Sequence, residues 1–305
     1  MILAGGSGFI GRHLIAAALP HYHVILLTRR IDGGEPTGVR PLTWQPRAAR
    51  EKDEAALEQL AQALDGAHAV INLAGASIAK GRLGEAHQRR VTESRVDSTT
   101  TLLEAYRRAE RPPKAWFQAS AVGYYGDSGD SDLSEESAPG TDALARSCLA
   151  WEGAAAPLAE HTRLIIGRIG LVLAKNAPAW RMYLAPIRLG LGGRLGSGRQ
   201  WYAWIDAGDL TRAILYLLEN ETCQGVYNLT TPGPVRQLEL SRKAATRLHR
   251  PALLPAPAFA LRLALGGLAD AALLGSIKAL PLRLEADGFA FEHADIDSEL
   301  DKLLG

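Results

Sequence analysis

Cysteine is scarce: the chain of 305 residues has two, Cys148 and Cys223. They are too few for a disulfide framework and lack the companion spacing of a zinc or redox motif. Both are expected to be small buried apolar residues of a protein working in a reducing compartment, the cytoplasm. An excess of charge of either sign is also missing. Lys plus Arg number 34 against 33 Asp plus Glu, a formal net charge of +1. No segment has the dense basic face that binding to a phosphate backbone needs, so nucleic acid is not an expected partner. The most apolar stretch, 252–282, is broken by Pro255, Pro257, Arg262, Asp270 and Lys278. It never reaches the roughly 18 uninterrupted apolar residues of a membrane span. Met1-Ile2-Leu3-Ala4 runs directly into glycine, leaving no room for the basic and apolar regions of a signal peptide, so neither membrane insertion nor export is expected.

What remains is a sequence with 47% hydrophobic residues. Over this length that is enough to bury the core of one large α/β domain and a smaller appended one, and it excludes a disordered or fibrous chain. Short β-branched runs at 2–4, 23–28, 69–73, 115–119 and 163–169 read as strands. Between them, stretches at 11–19, 55–64, 88–109 and 143–159 carry apolar residues at spacings of three and four, as helices do. The alternation predicts a doubly wound parallel sheet of the Rossmann α/β class with right-handed crossovers. From about Leu173 the pattern becomes Pro- and Gly-punctuated, through Gln200, before a helix at 209–219 and a strand at 225–229. The tail from about Pro251 reads as short helices. The expected organisation is a nucleotide-binding domain of residues 1–172, to which 205–230 return, and a substrate-side and C-terminal part made of 173–204 and 231–305. With no repeat and no low-complexity linker between them, the two parts are expected to pack closely.

The chemistry begins at Gly5-Gly6-Ser7-Gly8-Phe9-Ile10-Gly11, directly after the first strand and at the mouth of the first helix. Gly5 allows the tight turn, Gly8 lets the backbone approach a pyrophosphate, and Gly11 lets helix and strand pack closely. The helix N-terminus adds unpaired N–H groups for the anion. Dinucleotide binding is therefore expected. The second strand ends in Arg29-Arg30, where a carboxylate would be expected to hold a free ribose 2′-hydroxyl. Arginine forks onto a 2′-phosphate with charge-assisted hydrogen bonds, which favours NADP(H); the plainer alternative is two solvated arginines. Asn72-Leu73-Ala74-Gly75-Ala76 closes an apolar strand with small residues, as where a chain passes beside an adenine or ribose, though an ordinary strand-end turn would look the same. The cofactor candidates are Gly5, Ser7, Gly8, Phe9, Ile10, Arg29, Arg30, Leu73, Ala74 and Gly75.

These motifs continue in order with Ser94-Arg95, Ser120-Ala121-Val122-Gly123-Tyr124-Tyr125-Gly126, Trp151-Glu152, Arg168-Ile169-Gly170, Gly190-Leu191-Gly192-Gly193, Trp204-Ile205, Arg250-Pro251, Pro281 and Gly288-Phe289. Together they resemble the atypical extended short-chain dehydrogenases/reductases, a group labelled sugar-nucleotide epimerases or cell-division-inhibitor-like, with a small C-terminal domain. The resemblance covers nearly the whole chain. It implies a hydride-transfer site in which a Tyr, a Lys four residues later and a Ser/Thr exchange a proton with substrate. Here the Tyr and Lys positions fall on Leu144 and Cys148, the usual hydroxyl position falls on Ala121, and Ser120 lies one residue earlier. The arginine that such epimerases present to a sugar diphosphate aligns with Tyr202, with Arg188, Arg194 and Arg199 nearby, and Asp206 stands where the family has a histidine.

Tyr125 and Ser120 are therefore the candidate catalytic residues, Tyr125 at the carboxyl edge of the strand at 115–119, where ligands of open α/β sheets sit. A pocket-wall tyrosine is the plainer reading of Tyr125, and a buried structural carboxylate that of Glu152. No Ser/His/Asp set and no metal-ligating cluster emerges among the eight histidines. Two functions remain open. One is an NADP(H)-dependent oxidoreductase or epimerase-like enzyme acting on a small polar molecule. The other is a non-catalytic NADPH-binding sensor read by a protein partner.

Overall fold

The computed structural model describes residues 1–77 and 84–305, apart from the side chains of Ala264, Leu265, Leu268, Ala271 and Ala272. Seven strands are β1 (Ile2–Ala4), β2 (Ile25–Thr28), β3 (Arg40–Thr43), β4 (Ala69–Asn72), β5 (Ala115–Ala121), β6 (Arg163–Ile169) and β7 (Gly225–Leu229). They form one sheet in the order β7-β6-β5-β4-β1-β2-β3, every pair parallel. The order reverses between β1 and β4, the switch point beside which the carboxyl ends of such sheets leave a crevice. Strands covered on both faces need apolar residues at consecutive positions. Accordingly, Ile2, Leu3 and Ala4 are all buried, as are Ala69 to Asn72.

Helices cover both faces. On one side α1 (Phe9–Ala18) buries Gly11, Leu14, Ile15 and Ala18. Their spacing of three and four makes a single apolar stripe. On the other, α2 (Glu54–Leu64) is capped by Asp53, whose carboxylate accepts from Ala56 N at 3.0 Å, and buries Leu57, Leu60, Ala61 and Leu64. Beside it lies the long α3 (Glu85–Arg108), and α4 (Ala143–Ala155) packs along α3. Among the described residues no helix is long and apolar enough to cross a membrane.

Three elements differ from the sequence pattern. β3 is an edge strand with a charged first residue and Pro41 inside it, and its side chains are half-buried or exposed, so it carries no strong apolar signal. The helix expected to run to residue 159 stops at Ala155, where a 3₁₀ turn containing Pro157 takes over, since proline cannot continue the hydrogen-bond ladder. An unexpected helix, α5 (Pro178–Arg188), starts on a proline at its first position, where the missing N–H costs nothing, and buries Trp180, Tyr183, Leu184 and Ile187.

Helix α5 does not face the sheet. With Leu173, Tyr202 and Trp204 it joins α7 (Gln237–Arg247) and α8 (Ile296–Leu304) around a separate apolar core. This second core is tied to the sheet domain through α6 (Ala207–Glu219). Asp206 Oδ1 caps α6 by accepting from Gly208 N at 2.8 Å, and its Oδ2 receives Lys302 Nζ of α8 at 2.6 Å. That ammonium also lies 2.7 Å from Glu299 Oε2, so it is the cation of a cluster in which Asp206, His293 and Glu299 converge. Burial pushes the Glu299 carboxyl up from an ordinary 4.5 to about 7. A carboxyl whose folded pKa is raised stabilises most below the unfolded pKa and loses that contribution as pH climbs through the folded one. Glu299→Gln is accordingly expected to flatten the fall in melting temperature between about pH 4.5 and 7. Identical pH profiles for both proteins would refute this.

Candidate functional site

The glycine turn after β1 is built by backbone contact. Gly5 has φ +85°, and a Cβ there would meet Leu73 C and O at 2.7 Å, so the turns after β1 and β4 touch main chain to main chain. A side chain at Gly11 would collide with the Gly6 backbone. Gly8 differs. It has an ordinary extended conformation, and a Cβ would meet only Gly5 O, at 3.2 Å. Gly8 is exposed and is the N-cap of α1, with no side-chain cap and no acidic residue in the first turn. The positive end of the helix dipole therefore faces open space, which fits a bound pyrophosphate. The exposed Ser7 lies beside it; the half-buried Ile10 packs under the sheet, and Phe9 packs against the second core. The turn thus lies at the junction of the two parts.

Arg29 and Arg30 sit just beyond the end of β2, the neighbour of β1. Thr28 Oγ1 donates to Arg30 O at 2.9 Å and fixes this corner. Both guanidinium groups are exposed. Arg30 lies 4.0 Å from Asp32, a loose pair, and Arg29 makes no side-chain hydrogen bond or ion pair among the described residues. At least one guanidinium fork is thus free to meet an anion.

Residues 73–76, after β4, are held by groups whose holding role the sequence pattern did not convey. Asn72 is fully buried. It donates through Nδ2 to Thr99 Oγ1 and to Gln118 Oε1, both at 3.0 Å, and its Oδ1 accepts from Ala74 N at 3.1 Å. From α3, Ser94 Oγ accepts from Ala76 N at 2.8 Å and Arg95 Nη1 donates to Ala76 O at 3.0 Å. A Cβ on Gly75 would press on the Arg95 side chain at 3.0 Å. Arg95 also lies 4.8 Å above the ring of Trp151. The Ser94-Arg95 pair stands in the ordered motif series, but its role as a clamp needed the fold.

The two candidate catalytic residues enter one buried network. Ser120 on β5, Arg168 on β6 and Asn228 on β7 are register partners across three adjacent strands. Arg168 makes a two-pronged pair with Glu152 of α4, with Nε to Oε1 and Nη2 to Oε2 both at 3.0 Å, and donates through Nη1 to the Tyr125 hydroxyl at 3.0 Å. Its guanidinium also stacks 3.3 Å from the ring centre of Tyr124. Ser120 donates to Glu152 Oε1 at 2.6 Å, and Tyr125 donates to Asn228 Oδ1 at 2.7 Å. Burial raises the Tyr125 pKa. Both hydroxyls have internal partners, and Tyr125 and Ser120 are 2% and 3% exposed.

One and two turns before Glu152 on α4 lie Cys148 and Leu144, the residues that the sequence reading aligns with the Lys and Tyr of the pair. Burial pushes the Cys148 thiol up to about 12, so it remains neutral at physiological pH. Leu144 leans on Gly123, where a Cβ would lie 2.7 Å from its Cδ2. It lines a chamber of about 320 Å³ between the carboxyl edge of β5, the first turn of α4 and the segment 267–277. Tyr125 and Ser120 are not among its lining residues, although Gly123 and Gly126 are. Tyr202, at the position expected for the diphosphate arginine, is buried in the second core and donates to Leu273 O at 2.7 Å, pinning one wall of this chamber.

Residues 1–230 match the NAD dependent epimerase/dehydratase family, and residues 256–303 match a domain of unknown function, DUF1731. Over 300 residues the chain is 36% identical to an epimerase family protein of Mycobacterium leprae, covering 98% of this chain and 93% of that one. Its fold resembles the crystal structure of the human epimerase family protein SDR39U1 with NADPH, with a TM-score of 0.87, 30% identity and 99% and 98% of the two chains covered. It shares its fold, at a TM-score of 0.76 and 20% identity over 100% and 98% of the chains, with the UDP-glucose 4-epimerase of Thermus thermophilus solved with NAD. The sheet order, the glycine turn at its switch point and these full-length similarities give one conclusion: the chain belongs to the NAD-dependent epimerase/dehydratase family, with a DUF1731 domain at its C-terminal end.

Proposed function

We propose that the chain binds NADP(H) across the carboxyl edge of β1, β2 and β4 and acts as an oxidoreductase or epimerase-like enzyme on a small molecule held in the chamber. The observation that carries this reading is the open space in front of Gly8, at an uncapped helix N-terminus, with the free Arg29 at the next strand end. Gly5, Ser7, Gly8, Phe9 and Ile10 would hold the pyrophosphate, Arg29 and Arg30 the 2′-phosphate, and Leu73, Ala74 and Gly75 the adenosine side. When bound, nicotinamide supplies or accepts a hydride, and the protein's contribution is to hold the reacting partners in line. The Arg168 network would position the β5 edge under the substrate. Ser120 and Tyr125 serve it as positioning groups, because each hydroxyl already has an internal partner. The proton that accompanies hydride transfer would come from water, since among the described residues no Tyr, Lys or His lines the chamber.

The test is calorimetry with NADPH and NADH, followed by NADPH oxidation against a carbonyl panel. The double variant Arg29→Ala/Arg30→Ala is expected to weaken NADPH by about tenfold, the size of one exposed charge-assisted contact, and to leave NADH unchanged. Equal losses for both nucleotides would refute the 2′-phosphate assignment. Leu144 and Cys148 in place of the proton-transfer pair favour a second reading, an NADPH sensor without turnover. Pull-down with and without NADPH separates the two readings: a sensor yields a partner whose capture depends on the nucleotide.

A further inference from the structure

The walls of the chamber limit what can enter it. Val91, Leu144, Leu274 and Ile277 supply apolar surface, and among the described residues the ionisable lining groups are carboxylates: Asp127, Asp142 and Asp270. Among the described residues no Lys or Arg lines it. The carboxylates are fixed in place. Asp142 Oδ1 caps α4 by accepting from Leu144 N and Ala145 N, both at 2.8 Å, and Asp127 Oδ1 accepts from Ser276 N at 3.2 Å. Asp270 is paired with Arg262, whose Nη2 lies 2.8 Å from Oδ1, so the cation next to this wall is already engaged. Arg89 and Arg146 line the open groove adjoining the chamber at Gln88, Ala143 and Ser147; they stand at its mouth and are not among its lining residues.

We propose that the chamber takes an uncharged, largely apolar group, such as the aryl or alkyl end of a ketone or alcohol, and rejects a sugar diphosphate. This rests on the chamber being the substrate side of the dinucleotide cleft. A diphosphate needs cationic or N–H donors to replace the water it loses. Here it would instead face carboxylates across a partly enclosed space, where like charges repel more strongly than in bulk water. An apolar group loses little on leaving water and gains contact with four aliphatic side chains. A small polar substrate, as the sequence suggests, would find few donors in this chamber.

Calorimetry with UDP-glucose and with a panel of neutral ketones (acetophenone, cyclohexanone, menadione) on the NADPH-saturated and the nucleotide-free protein tests this. At least one ketone is expected to bind at millimolar concentrations or below, and UDP-glucose to give no heat in that range. Leu144→Arg is expected to weaken the ketone by about tenfold or more, and Ile277→Asn gives a second reading of the same wall if the first variant does not fold. Binding of UDP-glucose, absence of binding by the whole panel, or unchanged ketone affinity in a folded variant would overturn the proposal. Absence of NADPH binding with ketone binding intact would overturn the cofactor reading alone.

Discussion

Gly8→Asp is expected to lower NADPH affinity by about two orders of magnitude or more while leaving the melting temperature unchanged or slightly higher. Gly8 is the N-cap of α1 with φ −73° and ψ 172°, a conformation that aspartate readily adopts, and the space around it holds only Gly5 O within contact. Aspartate is among the best N-capping residues, so its carboxylate is expected to turn onto the free N–H groups of the first turn. Those N–H groups are the ones proposed to meet the pyrophosphate. The carboxylate would occupy the same volume and set a negative charge against two more. Paired calorimetry and thermal denaturation measure both quantities on one preparation. A variant that keeps both its stability and wild-type NADPH affinity would remove the pyrophosphate from this turn.

Arg168→Met is expected to destabilise the fold by about 3–5 kcal/mol, because it leaves the Glu152 carboxylate buried without its cation. The side chains of Arg168 and Glu152 are 4% and 11% exposed, and the pair is two-pronged. Removing the arginine also takes a donor from the Tyr125 hydroxyl and from Glu135 O. The expected readout is a fall in melting temperature of about ten degrees or more in thermal denaturation. The double variant Arg168→Met/Glu152→Leu should recover much of the loss, since replacing both charges removes the orphan. A single variant as stable as the wild type would mean that Glu152 finds another partner or takes up a proton at little cost.

How much of this was legible in the amino-acid order can be read from particular residues. The seven-residue glycine turn and the strand before it are local signals: Gly5, Gly6 and Gly11 answer to steric demands from residues close by or from a neighbouring strand, Gly8 leaves space in front of the helix, and the spacing alone conveyed the pattern. The strand at 225–229 and the five before it are short apolar runs, visible because both faces of a parallel sheet exclude water. The edge strand at 40–43 was not visible, because an edge position tolerates Arg40 and Pro41. The helix at 178–188 was obscured by its two prolines: Pro178 falls at the first position, where the N–H has no partner to lose, but Pro186 lies inside the helix and is tolerated at the loss of one rung of the ladder.

The sequence by itself determined the class of fold and the location of the glycine turn at the switch point of the sheet, the turn proposed here to meet the pyrophosphate. Tertiary structure alone decided what the polar residues do. Ser120, Arg168 and Asn228 are 48 and 60 positions apart along the chain and become neighbours only through the register of β5, β6 and β7. Ser94 and Arg95 become a clamp on residues 73–76 only because α3 is laid beside the end of β4. The physical reason is one of range. Turn sterics and apolar periodicity act over a few residues and are written in order, whereas the partner of a buried charge is set by which strands lie side by side.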